Sequence, residues 1–330
     1  MNNVWGVILA GGKSKRTKTK KNKLFLDLLG NPLIFYPWKS LSEVVGEGKV
    51  IFVYGENTRE ICSLFQNSLH VLQDKPLGTG DALKKVHKIL KDEKGYIIVI
   101  PGDVPLLTPD TLKKIYLYTL EKQSDITVLT ANLDNPRFYG RIIKNSKGEI
   151  EKIVEYKDAS EKEREIKEVN AGVYVFKIPD IFELLYEIKS ENAQREYYLT
   201  DVIEIANKRG KKVISYRLEN WKEMLGANTL EEFNIVFRIM KERIITKWLN
   251  SGVIIYSPDT VYIDYGVNIS PNVFIYPYVV LKGKTTIGEN CVINSFSYVE
   301  DAHIPSNTVI PPFSFIKSEK SFLIKGGIFK

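Results

Sequence analysis

The chain has 330 residues, 44% of them hydrophobic, with 47 basic and 40 acidic side chains for a formal charge of +7. Seven of the basic residues fall within 13–23, which leaves the remainder balanced at 40 against 40. Charge held in one loop excludes a broadly basic nucleic-acid coat, which would spread over a face. Two cysteines, Cys62 and Cys291, cannot build a disulfide framework and point to a reducing compartment. No apolar run approaches the ~20 residues that span a bilayer, and Val4–Ala10 is too short for a signal peptide. The chain reads as soluble and cytoplasmic, without membrane or nucleic-acid partners, and its length fits two domains or one large domain with an appendage.

In chain order, "VWGVILA" (4–10) reads as a buried strand and "PLIFYPWKSLSEV" (32–44) as a helix. "KVIFVYG" (49–55) is a strand, "NTREICSLFQNS" (57–68) a helix, and a further helix runs from about Asp81. "YIIVIPGD" (96–103) is a strand, and "TPDTLKKIYLYTL" (108–120) opens a helix with a Thr cap and Pro at its first position. This alternation predicts an α/β domain with a Rossmann-like, mixed but mostly parallel sheet, whose ligands bind beyond the carboxyl ends of the strands. Residues 126–178 are richer in strands and read as a hairpin-rich subdomain that covers the sheet edge and holds a second substrate. Residues 229–248 make one long amphipathic helix. From Ile263 an apolar residue returns every sixth position, at Ile269, Ile275, Leu281, Ile287, Ile293 and Val299, and after a one-residue slip at Ile304, Ile310 and Ile316. Hexapeptide periodicity predicts a short left-handed parallel β-helix of about three coils, an exception to the usual crossover hand. The predicted plan is a first domain over 1–228, a connecting helix over 229–250, and a β-helix with a tail over 251–330.

Three stretches carry the chemistry. "LAGG" (9–12) ends a strand in two glycines, which let backbone N–H groups approach a phosphate, and the cations beyond could meet a triphosphate. A solvated basic loop fits the same residues, and neither Walker nor G-x-G-x-x-G spacing is present. In "LQDKPLGTGDA" (72–82), the Gln73 amide can donate and accept at once, which suits a pyrimidine edge; a capped loop is the alternative. In "PGDVPLL" (101–107), Asp103 stands at a strand's carboxyl end, placed for Mg²⁺, which takes one or two carboxylates plus phosphates, or as a turn aspartate. His70, His87 and His303 have no constellation around them, and neither cysteine has metal-ligand spacing.

In this order, "LAGG-x₃-R-x₆-K", "Q-x₄-GTG" and "GDVPL" resemble the sugar-nucleotide pyrophosphorylases. "YGRI" (139–142), "IVEYKDA" (153–159), "EVNAGVY" (168–174), "NAQREYYLTD" (192–201) and "LGANT" (225–229) narrow the resemblance to the bacterial N-acetylglucosamine-1-phosphate uridylyltransferase domain, from residue 4 to about 316. The resemblance implies a GT-A-like nucleotidyltransferase domain followed by the β-helix. It implies that Arg16 and Lys23 stabilise the nucleotide phosphates during transfer, and that Leu9, Ala10, Gly11, Gly12, Gln73, Gly78 and Thr79 bind the nucleotide. Gly140, Glu155 and Asn170 would hold the sugar, Tyr198 and Thr200 its phosphate end, and Asp103 and Asn228 the Mg²⁺.

The implied reaction joins UTP and N-acetylglucosamine 1-phosphate into UDP-N-acetylglucosamine, with pyrophosphate released. Alternatives are another pairing, such as glucose 1-phosphate with UTP or dTTP, or a non-catalytic sugar-nucleotide sensor. The match departs from the family at Ser14 and Lys15, at Gly11, at Ala171, and at Arg195, where the family has glycine. Bifunctional relatives carry an acetyltransferase on a longer β-helix; its histidine, lysine, arginine and asparagine motifs are missing here, so no acetyltransferase activity is expected. The β-helix then reads as a packing or homotrimerisation module, with "SFLIKGGIFK" as a candidate seal for its open end.

Overall fold

A computed structural model describes residues 3–12 and 21–317. Arg16, with most of the basic loop, and the closing "SFLIKGGIFK" lie outside the described residues. The chain divides into two units, Met1–Leu26 with Leu33–Glu232, and Asp27–Pro32 with Phe233–Lys330. Among the described residues no helix is long and apolar enough to cross a membrane.

The first unit is built on one sheet. Its main path runs Val213–Arg217, Ile126–Asn132, Glu168–Ile178, Gly95–Pro101, Val4–Ala10, Val50–Tyr54, Leu69–Leu72. Val4–Ala10 pairs in parallel with Val50–Tyr54 and with Gly95–Pro101. Helices on both faces bury this central strand, which is why its sequence is nearly continuous apolar rather than alternating. Glu168–Ile178 is antiparallel to both of its neighbours on that path. That single reversal leaves the carboxyl ends of the other strands on one edge of the sheet, where the candidate site forms. Helix Pro109–Lys122 starts as its sequence dictates, with the Thr108 hydroxyl accepting from the Thr111 amide and Pro109 at the first position.

Two expectations are corrected. Residues 126–178 are not a separate subdomain. Ile126–Asn132 and Glu168–Ile178 lie inside the main sheet, and Ile126–Ala131 is buried throughout because both its faces are covered. Only the hairpin of Arg141–Lys144 with Ile150–Val154 stands off it, joined through Arg141 and Val169. The segment 57–68 is not one helix either. It contains a 3₁₀ turn, Glu56–Thr58, and a four-residue helix, Ile61–Leu64. The Thr58 hydroxyl accepts from the Gly55 amide and donates to the Ala10 carbonyl, each at 2.9 Å, and so ties this stretch to the end of the central strand instead.

The second unit holds the β-helix, three parallel sheets of four, four and three short strands. Every inward repeat residue from Ile263 to Ile310 is buried. Strands pair with a register of eighteen, as in Ile263 with Leu281 and Ile275 with Ile293. After the slip the register becomes seventeen, as in Ile287 with Ile304 and Val299 with Ile316. A turn shortened by one residue at Asp301 absorbs the difference: its backbone N–H reaches the Lys282 carbonyl and its carboxylate accepts from the Lys284 amide. The hairpin Asp27–Pro32 belongs to this unit, with the Tyr265 amide donating to the Leu29 carbonyl at 2.9 Å. Its turn, Leu29–Gly30, has φ of 52° and 89°, the left-handed pair that a tight hairpin requires.

Candidate active site

The site starts at the end of the central strand, where Leu9 and Ala10 lead into Gly11 and Gly12. The Leu9 carbonyl accepts from the Gly102 amide at 3.0 Å, and the Gly12 carbonyl from the Asn57 side chain at 3.1 Å. With these carbonyls committed, the path of the backbone is fixed where a ligand would approach. A side chain at Gly11 would have to displace the end of Gln73, whose Oε1 its Cβ would approach to 2.7 Å.

Gln73 is buried, and its Nε2 donates to the Gly78 carbonyl at 3.0 Å and to Asp81 Oδ2 at 2.8 Å. Both donors of the amide are therefore used within the protein. The expectation that Gln73 would donate and accept toward a base is corrected: only its oxygen remains. The loop that follows is stitched to the segment Tyr197–Thr200. Gly80 N–H donates to the Tyr197 carbonyl, Tyr197 N–H to the Leu77 carbonyl, and Leu199 N–H to the Thr79 hydroxyl at 3.1 Å. Gly78 has φ of 116°, and a Cβ there would lie 2.5 Å from the Tyr197 carbonyl oxygen, so only glycine fits.

The charged centre gathers three residues from distant parts of the sequence. Lys23 Nζ donates to the Asp103 carboxylate and to Asn228 Oδ1, the latter at 2.8 Å. Asn228 is held in place by its backbone N–H donating to the Glu232 carboxylate at 2.8 Å, and Ala227 N–H donates to the Asp103 carbonyl. A carboxylate oxygen and an amide oxygen thus converge on one cation, here the lysine ammonium. Two hard oxygen donors on one point fit a hard divalent ion, with the other positions left to phosphates and water. Among the described residues no cluster of three or more His, Cys, Asp or Glu could hold a metal.

At the positions the resemblance assigns to the sugar, Glu155 Oε1 accepts from the Thr200 hydroxyl at 3.1 Å, and Gly140 lies against the same carboxyl. Asn170 donates its backbone N–H to the Gly140 carbonyl at 2.9 Å, while its side chain spans a bulge, donating to Tyr174 and accepting from the Gly172 amide. Burial pushes the Glu155 carboxyl above the usual range, with the Thr200 hydrogen bond working against it. Asp201 is pushed up to about 6 by burial and then by the charge of Glu155. The Tyr198 phenol, pushed up to about 12 by burial, accepts from Gln194 Nε2 at 2.7 Å. Arg141 of the "YGRI" stretch is buried and holds the approach to Gly140, donating to the carbonyls of Arg137, Tyr139 and Arg164.

The structure therefore brings Lys23, Asp103 and Asn228 into one cluster, and Gly140, Glu155, Asn170 and Thr200 into another. The sequence reading missed Asp81, Asp201, Asn57 and Thr58. The two aspartates each directly follow a motif residue; nothing in periodicity marks the other two. The histidines have structural partners: His70 stacks on Phe52, His87 on Phe182, and His303 meets the Thr286 hydroxyl.

Residues 5–252 match the nucleotidyl transferase family, and residues 266–301 match the bacterial transferase hexapeptide repeats. The chain is 39% identical over 305 residues to the bifunctional protein GlmU of Latilactobacillus sakei subsp. sakei, covering 92% of this chain and 66% of that protein. It is 38% identical over 328 residues to the protein of the same name from Acetivibrio thermocellus, covering 94% and 71%. The chain thus spans about two thirds of the length of these relatives. Two solved structures share the fold at a TM-score of 0.59. One is a UDP-glucose pyrophosphorylase complexed with UDP-glucose, 20% identical over 74% of this chain and 100% of that one. The other is a protein assigned as a glucose-1-phosphate thymidylyltransferase from Bacillus anthracis, 21% identical over 72% and 94%. With three quarters of its length matched by one family and its strand-end glycines, aspartate and asparagine assembled at one sheet edge, the chain belongs to the nucleotidyl transferase family.

Proposed function

We propose that the chain transfers a uridylyl group from UTP to N-acetylglucosamine 1-phosphate, forming UDP-N-acetylglucosamine and pyrophosphate. The observation that supports this best is the convergence of Lys23, Asp103 and Asn228 in the same unit as the 73–80 loop stitched to the Tyr197–Thr200 segment. A sugar 1-phosphate loses its second proton near pH ~6 and is mostly a dianion at neutral pH. Its oxygen can attack the α-phosphorus in line without a general base, which accords with histidines engaged elsewhere. The task left to the protein is to position and neutralise crowded anions.

Asp103 and Asn228 Oδ1 would hold a Mg²⁺ ion, which when bound neutralises phosphate charge. Lys23, whose ammonium sits at the point both oxygens face, would turn to the phosphate oxygens, with Arg16 as a second cation on the same loop. Leu9, Ala10, Gly11, Gly12, Gly78 and Thr79 supply the backbone surface for the nucleotide, and Gln73 faces the base. Glu155, Asn170 and Gly140 hold the sugar, with Tyr198 and Thr200 toward its phosphate. We place the chain in the cytoplasm, since both cysteines are free thiols, and propose a homotrimer formed through the β-helix.

Pyrophosphate release over a panel of nucleoside triphosphates and sugar 1-phosphates, with Mg²⁺ and with chelator, tests the reading. UTP with N-acetylglucosamine 1-phosphate should give the highest kcat/KM, lost with chelator. A preference for glucose 1-phosphate or dTTP would replace the substrate pair, and no release with any pair would leave a sugar-nucleotide binding protein. Light scattering in solution tests the trimer.

A further inference from the structure

Gln73 is fixed by two acceptors. The Gly78 carbonyl can only accept, and so can the Asp81 carboxylate, and both receive hydrogens from Nε2 at 3.0 and 2.8 Å. The orientation of the amide is therefore set by chemistry. Exchanging its ends would press Oε1 against two oxygens and remove the hydrogen bond that each accepts from Nε2. Oε1 is turned instead toward Gly11, where it fills the space a Cβ would take, and it accepts no hydrogen bond from the described residues.

Asp81 is itself held where it can do this. It is the third residue of helix Thr79–Leu90, and Lys84, one turn on, lies 4.5 Å from the centre of the Tyr197 ring. Tyr197 in turn bonds the loop at Leu77 and Gly80. The helix start that carries Asp81, the loop and the Gln73 amide thus form one hydrogen-bonded unit.

We propose that Asp81 is a positioning residue for base selection: by locking the Gln73 amide it makes the site offer an acceptor alone, which takes a base with a ring N–H and refuses one with a ring acceptor. Uracil has a donor at N3; cytosine has a lone pair there. With cytosine, two acceptors would face each other in a buried site, and a site built to pair a hydrogen-bonding group rejects an analogue that cannot pair by large factors. Thymine presents the same edge as uracil, so Asp81 does not separate those two. The inference rests on the reading of Gln73 as a base contact.

Asp81→Asn is the informative change. It keeps the shape but can turn an N–H toward Gln73 Oε1, so the flipped amide, with its N–H facing the base, loses much of its cost. The test is kcat/KM for UTP and CTP with one sugar 1-phosphate and Mg²⁺, together with UTP and CTP binding by calorimetry, on the intact chain. Wild type should favour UTP over CTP by at least about 100-fold, and Asp81→Asn should shrink that ratio at least about tenfold. Asp81→Glu, which keeps the carboxylate, should recover part of it. A fold defect would lower both nucleotides together and leave the ratio unmoved. A ratio in Asp81→Asn within about twofold of wild type overturns the inference while leaving uridylyl transfer intact. If wild type turns over no nucleotide, the proposed reaction fails, and the binding arm decides alone. UTP preference lost in Asp81→Asn supports the lock, whereas wild-type preference for CTP overturns it.

Discussion

At the scale of single residues, the basic loop separates into cations with different prospects. Lys23 reaches two oxygens at the carboxyl edge of the sheet. Lys18 and Lys20 fall outside the family pattern and outside the described residues. Lys23→Ala should therefore reduce kcat by about 100-fold or more, the scale of losing one positioned charge in a dry site, whereas Lys18→Ala and Lys20→Ala should stay within about twofold. Equal losses in steady-state assays of all three would remove the special role of Lys23. Asp201 gives a pH test. Its carboxyl rises from 3.8 to about 6 in the fold, so over that window the folded chain keeps a proton that the unfolded chain has released. The stability this group contributes is complete below about pH 3.8 and is lost as pH rises through about 6. Asp201→Asn removes the charged form, so urea midpoints should favour the variant near pH ~8 and converge with wild type near pH ~4. A gap that widens toward acid would contradict the assignment.

At the scale of elements, periodic features were legible and cross-chain ones were not. The six-residue repeat announced the β-helix down to the slip after Val299, because each coil repeats one local pattern. The Thr108 cap and Pro109 named the start of their helix for an equally local reason. The central place of Glu168–Ile178 in the sheet could not be read, since pairing with Gly95–Pro101 is decided by packing between distant segments. Nor could the Lys23 contact with Asn228 be derived from spacing; only the family resemblance placed both residues in one site. The lock on Gln73 escaped because Asp81 looks like an ordinary first-turn acid of a helix. The stitch between the 77–80 loop and Tyr197–Leu199 is the element whose loss should be most telling. Gly78→Ala meets both a forbidden φ and the Tyr197 carbonyl, so it should cost at least about 1–3 kcal/mol and raise KM for the nucleotide and for the sugar phosphate together. A rise in the nucleotide KM alone would mean that the two loops respond independently.

At the scale of the whole molecule, the charge distribution makes its own demand. Outside 13–23 the basic and acidic residues cancel at 40 each, so the net field that a polyanionic nucleotide meets at a distance arises from that loop. Arg16 and Lys23 account for two of its seven cations. The other five, Lys13, Lys15, Lys18, Lys20 and Lys21, fall outside the family pattern and have no part in the transfer step proposed above. A field acts on encounter rather than on chemistry, and it fades as the Debye length contracts from about 10 Å at 0.1 M salt to about 3 Å at 1 M. Replacing these five lysines with glutamine should therefore lower kcat/KM for UTP several-fold at low salt, on the modest side of the roughly 10–10³-fold range for electrostatic steering. The same variant should keep kcat and converge with wild type near 1 M salt. Stopped-flow binding of UTP across a salt series measures this directly. If the loss instead persists at high salt, the five lysines touch the nucleotide, and the loop is a contact surface along its whole length rather than two contacts set in a steering field.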